Sequence, residues 1–463
     1  MAKNWRWSWK KKATAGWKTK AELSDMAAEF ITKQLELAKS ISPLTWLGAI
    51  NERGQQAFAE TTVPTRKTEA WKYTSLYNLT ETGFANAAPT AQAHADVIPG
   101  LQALRIVVAN GEVDTAASDA AALELVVRFR DARPEQQEAI RALLGEVKAD
   151  RGHLFADLND ASINDGLFVL VEKNQRLEHP LHIVYATTSG DEAFTVNTRL
   201  LIALERGAEA TVIEHYAGED TETGKQNNFT NAVTEIRVGD NAKLVHYRLQ
   251  LMAESAFHIG GTFIDLQRDA RYEGFHLGMG TALTRNDVIV NHNVGGSHCQ
   301  MNGVYVPQNQ QIVDFHTCVE HKVAHCTTDE VFRGIMNDKA KAIFNGRIHI
   351  HPDAQKTLAE LSNKNLLLTN TAEINTKPEL EIYADDVQCA HGATVAQLEE
   401  KARFYLQSRG ISAAEAEVML SFGFINELLN DLNDEAVGLW LRPQLAKRFG
   451  REDTLSAQLT GEL

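Results

Sequence analysis

The chain has 463 residues, 44% of them hydrophobic and 23% charged. That is an ordinary globular balance, enough for a core and, at roughly 150 residues per domain, for about three domains or one extended fold with appendages. The longest strictly apolar runs, Leu167 to Val171 and Leu200 to Leu204, are far shorter than the roughly 18 residues of a membrane span.

The net charge is −15, and −22 once the basic first twenty residues are set aside. A body this acidic repels phosphate backbones, so nucleic acid is not an expected partner. Four Cys are too few for a disulfide scaffold, and no apolar stretch follows the charged start to make a secretory signal. A cytoplasmic protein with reduced thiols is expected.

In chain order, Met1 to Lys20 reads as a disordered basic tail, the product of an over-long start with a natural one near Met26. Residues 21–60 have helical character, with Ser42 as an N-cap and Pro43 at the first helical position. Pro64 breaks this pattern, and the Ala-rich 83–95 stretch reads as a linker. Strands are predicted at Leu104 to Ala109 and Leu123 to Phe129, and a helix from Pro134 to Val147. From about Gly166 the character changes. Short β-branched and aromatic runs alternate with polar turns for over 200 residues, for example Phe168 to Val171, Ala210 to His215 and Leu244 to Leu251. A turn ending in alanine recurs at Ala208, Ala242, Ala270 and Ala340, at irregular intervals. Strands without intervening helices leave a sandwich, a barrel or a solenoid, and the scarcity of Asn-Gly and Asp-Gly hairpin turns favours the solenoid. Helices return at Val395 to Ser408, after the capping box Ser412 to Glu415, and around Val437 to Leu445. The expected organisation is a tail over 1–20, an N-terminal helical and mixed region over 21–165, a β body over 166–394 and a C-terminal helical domain over 395–463.

The chain shows no nucleotide site of its own. Gly218 to Gln226 has one residue too many between its glycines for a P-loop and lacks the Ser or Thr that holds Mg²⁺. Half of the His and Cys residues lie between His292 and His351, followed by Cys389 and His391. These are ligands for zinc, copper, iron or iron–sulfur clusters, yet no C-x-x-C pair exists to hold a local four-thiolate site. His316/Cys318, His349/His351 and Cys389/His391 have the i, i+2 spacing that places both side chains on one strand face. Taken singly, each is more often an inert, hydrogen-bonded side chain than a ligand.

Several segments carry a specific signature. They are Phe344-Asn345-Gly346-Arg347, Ala354-Gln355-Lys356-Thr357, Asn365 to Leu368, and Lys377 to Val387 running into Cys389-Ala390-His391-Gly392-Ala393-Thr394. Arg66 to Tyr73 and Ser408-Arg409-Gly410-Ile411 extend it. This run resembles the SufB/SufD family of the SUF iron–sulfur cluster assembly system. The resemblance is dense from about Asp314 to Leu429 and reaches back to about Pro64. SufB-like chains carry an acidic-His element where this one has Cys389-Ala390-His391, and many carry a C-x-x-C-x-x-x-C segment absent here, so the resemblance is to the SufD branch. It implies a mainly β fold: a right-handed parallel β-helix (solenoid) flanked by N-terminal and C-terminal helical regions. It also implies a non-enzymatic scaffold that pairs with SufB through the solenoid end and docks the ATPase SufC through its C-terminal helices. Alone, such a chain is expected to form a homodimer. A transient iron–sulfur cluster would be shared with the partner at Cys389 and His391, which by this resemblance are both cofactor-binding and metal residues. The alternative from a different class is a metal-binding β-solenoid enzyme acting on carbohydrate, with a metal at His316, His321 or His349. It would need an acidic groove with stacking aromatics, and aromatics are only 7% of the chain.

Overall fold

The computed structural model describes residues 20–86, 97–148, 153–188, 192–218 and 228–448. The basic tail, most of the 83–95 linker and nearly all of the P-loop-like segment 218–226 lie outside the described residues.

From Leu167 to Ala396 successive strands alternate between two ten-stranded sheets, so each coil of chain gives one strand to each sheet. The first sheet ends on Glu373–Ile382 and the second on Gln388–Ala396. Neighbouring coils pair in parallel register, with Lys243 opposite Arg271, Arg271 opposite His298 and His298 opposite Thr327. The chain is a parallel β-solenoid with roughly 30 residues per coil, a length typical of stacked repeats. The predicted strand Leu104–Ala109 occurs as predicted and stacks on Leu181–Ala186 in the second sheet.

The corners explain why the repeat is faint in sequence. Before each of the six second-sheet strands from Glu209–Ala217 to Leu358–Leu367, one residue takes positive φ: Gly207 (70°), Asn241 (52°), Asp269 (55°), Gly296 (83°), His325 (65°) and Lys356 (60°). A small residue then turns into the core: Ala208, Ala242, Ala270, Ser297, Cys326 and Thr357 are each at most 1% exposed. The left-handed residues are chained by backbone hydrogen bonds from coil to coil, such as Gly207 N–H to Asp240 O (2.8 Å) and His325 N–H to Gln355 O (2.9 Å). Gly, Asn and Asp fill most of these positions because they tolerate that conformation. The alanine series is irregular because Ala340 belongs to the opposite corner, before the first-sheet strand Lys341–Ile350.

Helices sheathe the flanks of the solenoid. N-terminal residues Phe30, Phe58, Trp71, Phe155 and Leu158 pack on Phe229, Phe257 and Ile259 of the first sheet. C-terminal residues Val418, Phe422, Ile425, Leu428 and Leu441 pack on Tyr247, Leu249, Phe275 and Leu277 of the second. Outward-facing positions on these strands are therefore apolar, which removes the period-2 alternation that marks a half-exposed strand.

Four local expectations are corrected. The 21–60 segment forms two helices, Lys20–Ser40 and Gly48–Glu60, with a 3₁₀ turn at Thr45–Leu47 between them. Ser42 and Pro43 lie in the extended link instead of starting the helix, because fully buried Leu47 anchors the turn further on. Residues 123–129 divide between a helix, Ala120–Leu125, and a three-residue strand, Val126–Arg128, since the alanines favour helix up to the point of sheet pairing. The helix at Pro134 ends at Arg141; Gly145 turns with φ 84° and donates its N–H to Glu235. Val395 continues the last strand, Gln388–Ala396, because register against Leu358–Leu367 overrides local helical preference, and helix starts only at Glu400. The capping box at Ser412 is present and opens Ala413–Asn430, and Gly410 has φ 86°.

Candidate functional site

The flanking helices leave one end of the solenoid open. Among the described residues, Glu373–Ile382 and Gln388–Ala396 each pair on one side only, and their residues are half-buried or exposed throughout. Ile382 (43%), Tyr383 (61%) and Val395 (50%) present apolar surface there. Two unpaired strand edges with exposed apolar side chains are a template for another chain, and lone monomers normally blunt such edges.

Cys389 and His391 lie within this last strand, two residues apart. Because the strand runs on to Ala396, they sit in its first half and not at a helix boundary. Cys389 stands opposite Ala359 and His391 opposite Leu361. Both thereby end columns that run along the interior of the solenoid. One column is Tyr272, Cys299, Thr328, Ala359, Cys389; the other is Gly274, Met301, Glu330, Leu361, His391. Cys389 packs against the interior apolar cluster and is half-buried, and burial raises its thiol above the ordinary value. His391 is exposed. One thiol and one imidazole on one strand face suit iron chemically, and they leave a cluster short of ligands.

The structure assigns the remaining His and Cys residues to other duties. Cys326 is a corner residue. Cys299 is fully buried, with its thiol pushed far up by burial and by nearby Glu330 and Asp329. His292 and His321 stack at 4.3 Å inside the solenoid, each bonded to Thr328 at 3.0 Å. Burial lowers His321 to about 4, keeping it neutral. His316 bonds Asp314 (3.0 Å) and Cys318 lies by Arg347 (3.7 Å), both at the wall of a 430 Å³ cavity under the N-terminal helices. His349 and His351 both bond Glu320. The His316/Cys318 pair is thus absorbed by neighbouring side chains.

Sequence reading missed a polar group inside the solenoid. Glu214, fully buried, accepts from Tyr216 (2.7 Å) and Thr234 (2.9 Å), meets His246 (2.9 Å) and pairs with Arg248 (3.3 Å). Burial would raise its carboxyl; Arg248 and His246 win and hold it at about 2. Glu330 shows the opposite outcome. Burial pushes it up to about 8, and one bond from Thr317 (2.5 Å) does not offset this. Apart from Tyr216, two residues along the same strand, nothing local announces these partners, since they meet only across the two sheets or through the register of neighbouring coils.

Comparison with known proteins agrees with this architecture. Residues 185–424 match the family described as "SUF system FeS cluster assembly, SufBD core domain", and residues 29–183 match "SufBD protein N-terminal region". The chain is 33% identical over 401 residues to the iron-sulfur cluster assembly protein SufD of Escherichia coli, covering 86% of this chain and 90% of that protein. It is 30% identical over 381 residues to an iron-sulfur cluster assembly SufBD family protein of Synechocystis, covering 80% and 84%. It is 27% identical over 426 residues to the chloroplastic protein ABCI7 of Arabidopsis thaliana, covering 89% and 88%. With both regions matched and the parallel solenoid in place, this chain belongs to the SufBD family of iron–sulfur cluster assembly proteins.

Proposed function

We propose that the chain is a non-catalytic scaffold subunit whose open solenoid end joins a SufB-type partner and, with it, holds a nascent iron–sulfur cluster at Cys389 and His391. The observation that carries this reading is the last coil. It combines two unpaired strand edges, exposed apolar residues and a Cys/His pair on a single strand face. Strand edges associate by continuing their hydrogen-bond ladders, which brings the inward columns of two chains end to end. Ligands missing here then come from the partner, and a cluster divided between two chains is easily released. The same edges would join two copies of this chain when the partner is absent.

The C-terminal helices are the proposed seat of a SufC-type ATPase, which supplies the ATP hydrolysis. Helix Glu400–Gln407 buries none of its residues and exposes Phe404 (71%) and Tyr405 (55%). Gln407 is also exposed, whereas Asn426 is partly buried and bonded to Arg442, so a substitution at Asn426 would disturb the fold as well as a surface.

The test is co-expression with SufB and SufC followed by pull-down. Tyr383→Glu with Val395→Glu should release SufB and keep SufC. Phe404→Glu with Tyr405→Glu should do the reverse. Both partners retained in both variants would refute the assignment of these surfaces.

A further inference from the structure

On the outer face of the first sheet, across the two strands next to its edge strand, a second group of ligand-type residues converges. Glu320 lies opposite His349 in the register of the two strands, and His351 follows two residues later on the same face. Both imidazoles aim at a single oxygen: His349 Nδ1 is 2.7 Å and His351 Nε2 2.8 Å from Glu320 Oε2. One ligand atom from each of the three residues lies within 4.8 Å of the other two. Their side chains are 6%, 19% and 35% exposed, so the group is held in place yet open to solvent on the His351 side.

We propose that Glu320, His349 and His351 form a binding site for one first-row transition-metal dication of the Fe²⁺ and Zn²⁺ class. Two imidazoles and a carboxylate on one face are a recurrent donor set for these ions and leave further positions free. Imidazole donors disfavour Mg²⁺ and Ca²⁺, which take oxygen. Around a metal about 2.1 Å from each ligand, neighbouring ligand atoms sit about 3 Å apart in octahedral and about 3.4 Å apart in tetrahedral geometry, so the two present contacts to Glu320 need to open by well under 1 Å. The metal replaces the imidazole protons that now bridge to the carboxylate.

One residue opposes this. Arg347 Nη2 is 3.3 Å from His349 Nδ1, and Nη1 is 3.6 Å from Glu320 Oε1. Its stronger partner is Glu381, which it meets at 2.9 and 2.8 Å through two nitrogens. It therefore keeps its main ion pair when a metal takes over the two longer contacts. The site is separate from Cys389 and His391, which belong to the other sheet and face inward, and it stands or falls independently of their role.

The experiment is anaerobic equilibrium dialysis of the full chain against Zn²⁺ and against Fe²⁺, with millimolar Mg²⁺ as competitor, and Co²⁺ absorption as a reporter of coordination. The wild-type chain should bind one equivalent that Mg²⁺ does not displace. His349→Ala with His351→Ala should weaken that binding about 100-fold and abolish the Co²⁺ spectrum, while Glu320→Gln weakens it about 10-fold. Cys389→Ala with His391→Ala should leave it unchanged. Thermal melting checks the fold, and the more exposed His351→Ala alone serves if the double variant is unstable. The proposal is overturned if the folded His variants bind as tightly as wild type. It is also overturned if no Mg²⁺-resistant equivalent binds, or if binding is lost only with Cys389 and His391.

Discussion

Cys299 and Cys389 occupy the same interior column, three coils apart, and have opposite surroundings. Cys299 has a coil on either side, is fully buried, and its thiol is pushed far from any useful ionisation. Cys389 has a coil on one side only, and its thiol is raised by partial burial alone. The same contrast separates the Glu214–His246–Arg248 group from His391. A repeating fold sets the direction of its side chains coil by coil, but it buries a column only where another coil follows. Interior side chains are thus accessible only at the end where the repeat stops.

The strongest way to break this contrast is to damage the closed part. Arg248→Ala leaves the buried Glu214 carboxylate without its guanidinium, and should cost about 3–5 kcal/mol of stability, read as a large loss in denaturant midpoint. An equal loss from His391→Ala would show that the open end is not energetically separate; that substitution should stay within about 0.5 kcal/mol.

A pH test comes next in size. The folded state holds Glu330 neutral, with its carboxyl raised by burial to about 8 against an ordinary value of 4.5. Its contribution to stability is intact below the unfolded value and lost as pH rises through about 8. Glu330→Gln should therefore gain on the wild type by up to about 5 kcal/mol at pH 9 and by little at pH 4, measured by chemical denaturation. A difference independent of pH would mean that Glu330 is charged in the fold.

The smallest effect on the fold is the most selective in chemistry. Under native conditions a thiol alkylating reagent should modify Cys389 well before Cys299 or Cys326, which react only on unfolding. Mass spectrometry of timed digests would show it. Labelling of Cys299 as fast as Cys389 would contradict the closed interior.

Much of the fold was legible because its signals are local. Turn alanines, the strand run at Leu104 to Ala109 and the capping box at Ser412 each act within a few residues, and these occur where expected. The solenoid period was obscured because small residues mark two different corners, and Ser297, Cys326 and Thr357 take the place that alanine holds elsewhere. The Cys389/His391 pair was conspicuous by spacing and by family resemblance. Glu214, Arg248 and Glu320 were not, since a carboxylate about 30 residues from its partner gives no sign of it until the coils are in register. Val395 shows the reverse error: a helix-compatible segment is held as strand by the neighbour it pairs with.

The central claim is that the open end assembles the cluster, and His391 tests it most directly. Complexes with SufB and SufC should be purified anaerobically with wild-type chain, His391→Ala and, as the interior control, Cys299→Ala, and assayed for iron and sulfide per complex. The account predicts intact complexes throughout, normal loading with Cys299→Ala and a loss of most iron and sulfide with His391→Ala. Full loading of an intact His391→Ala complex would contradict it.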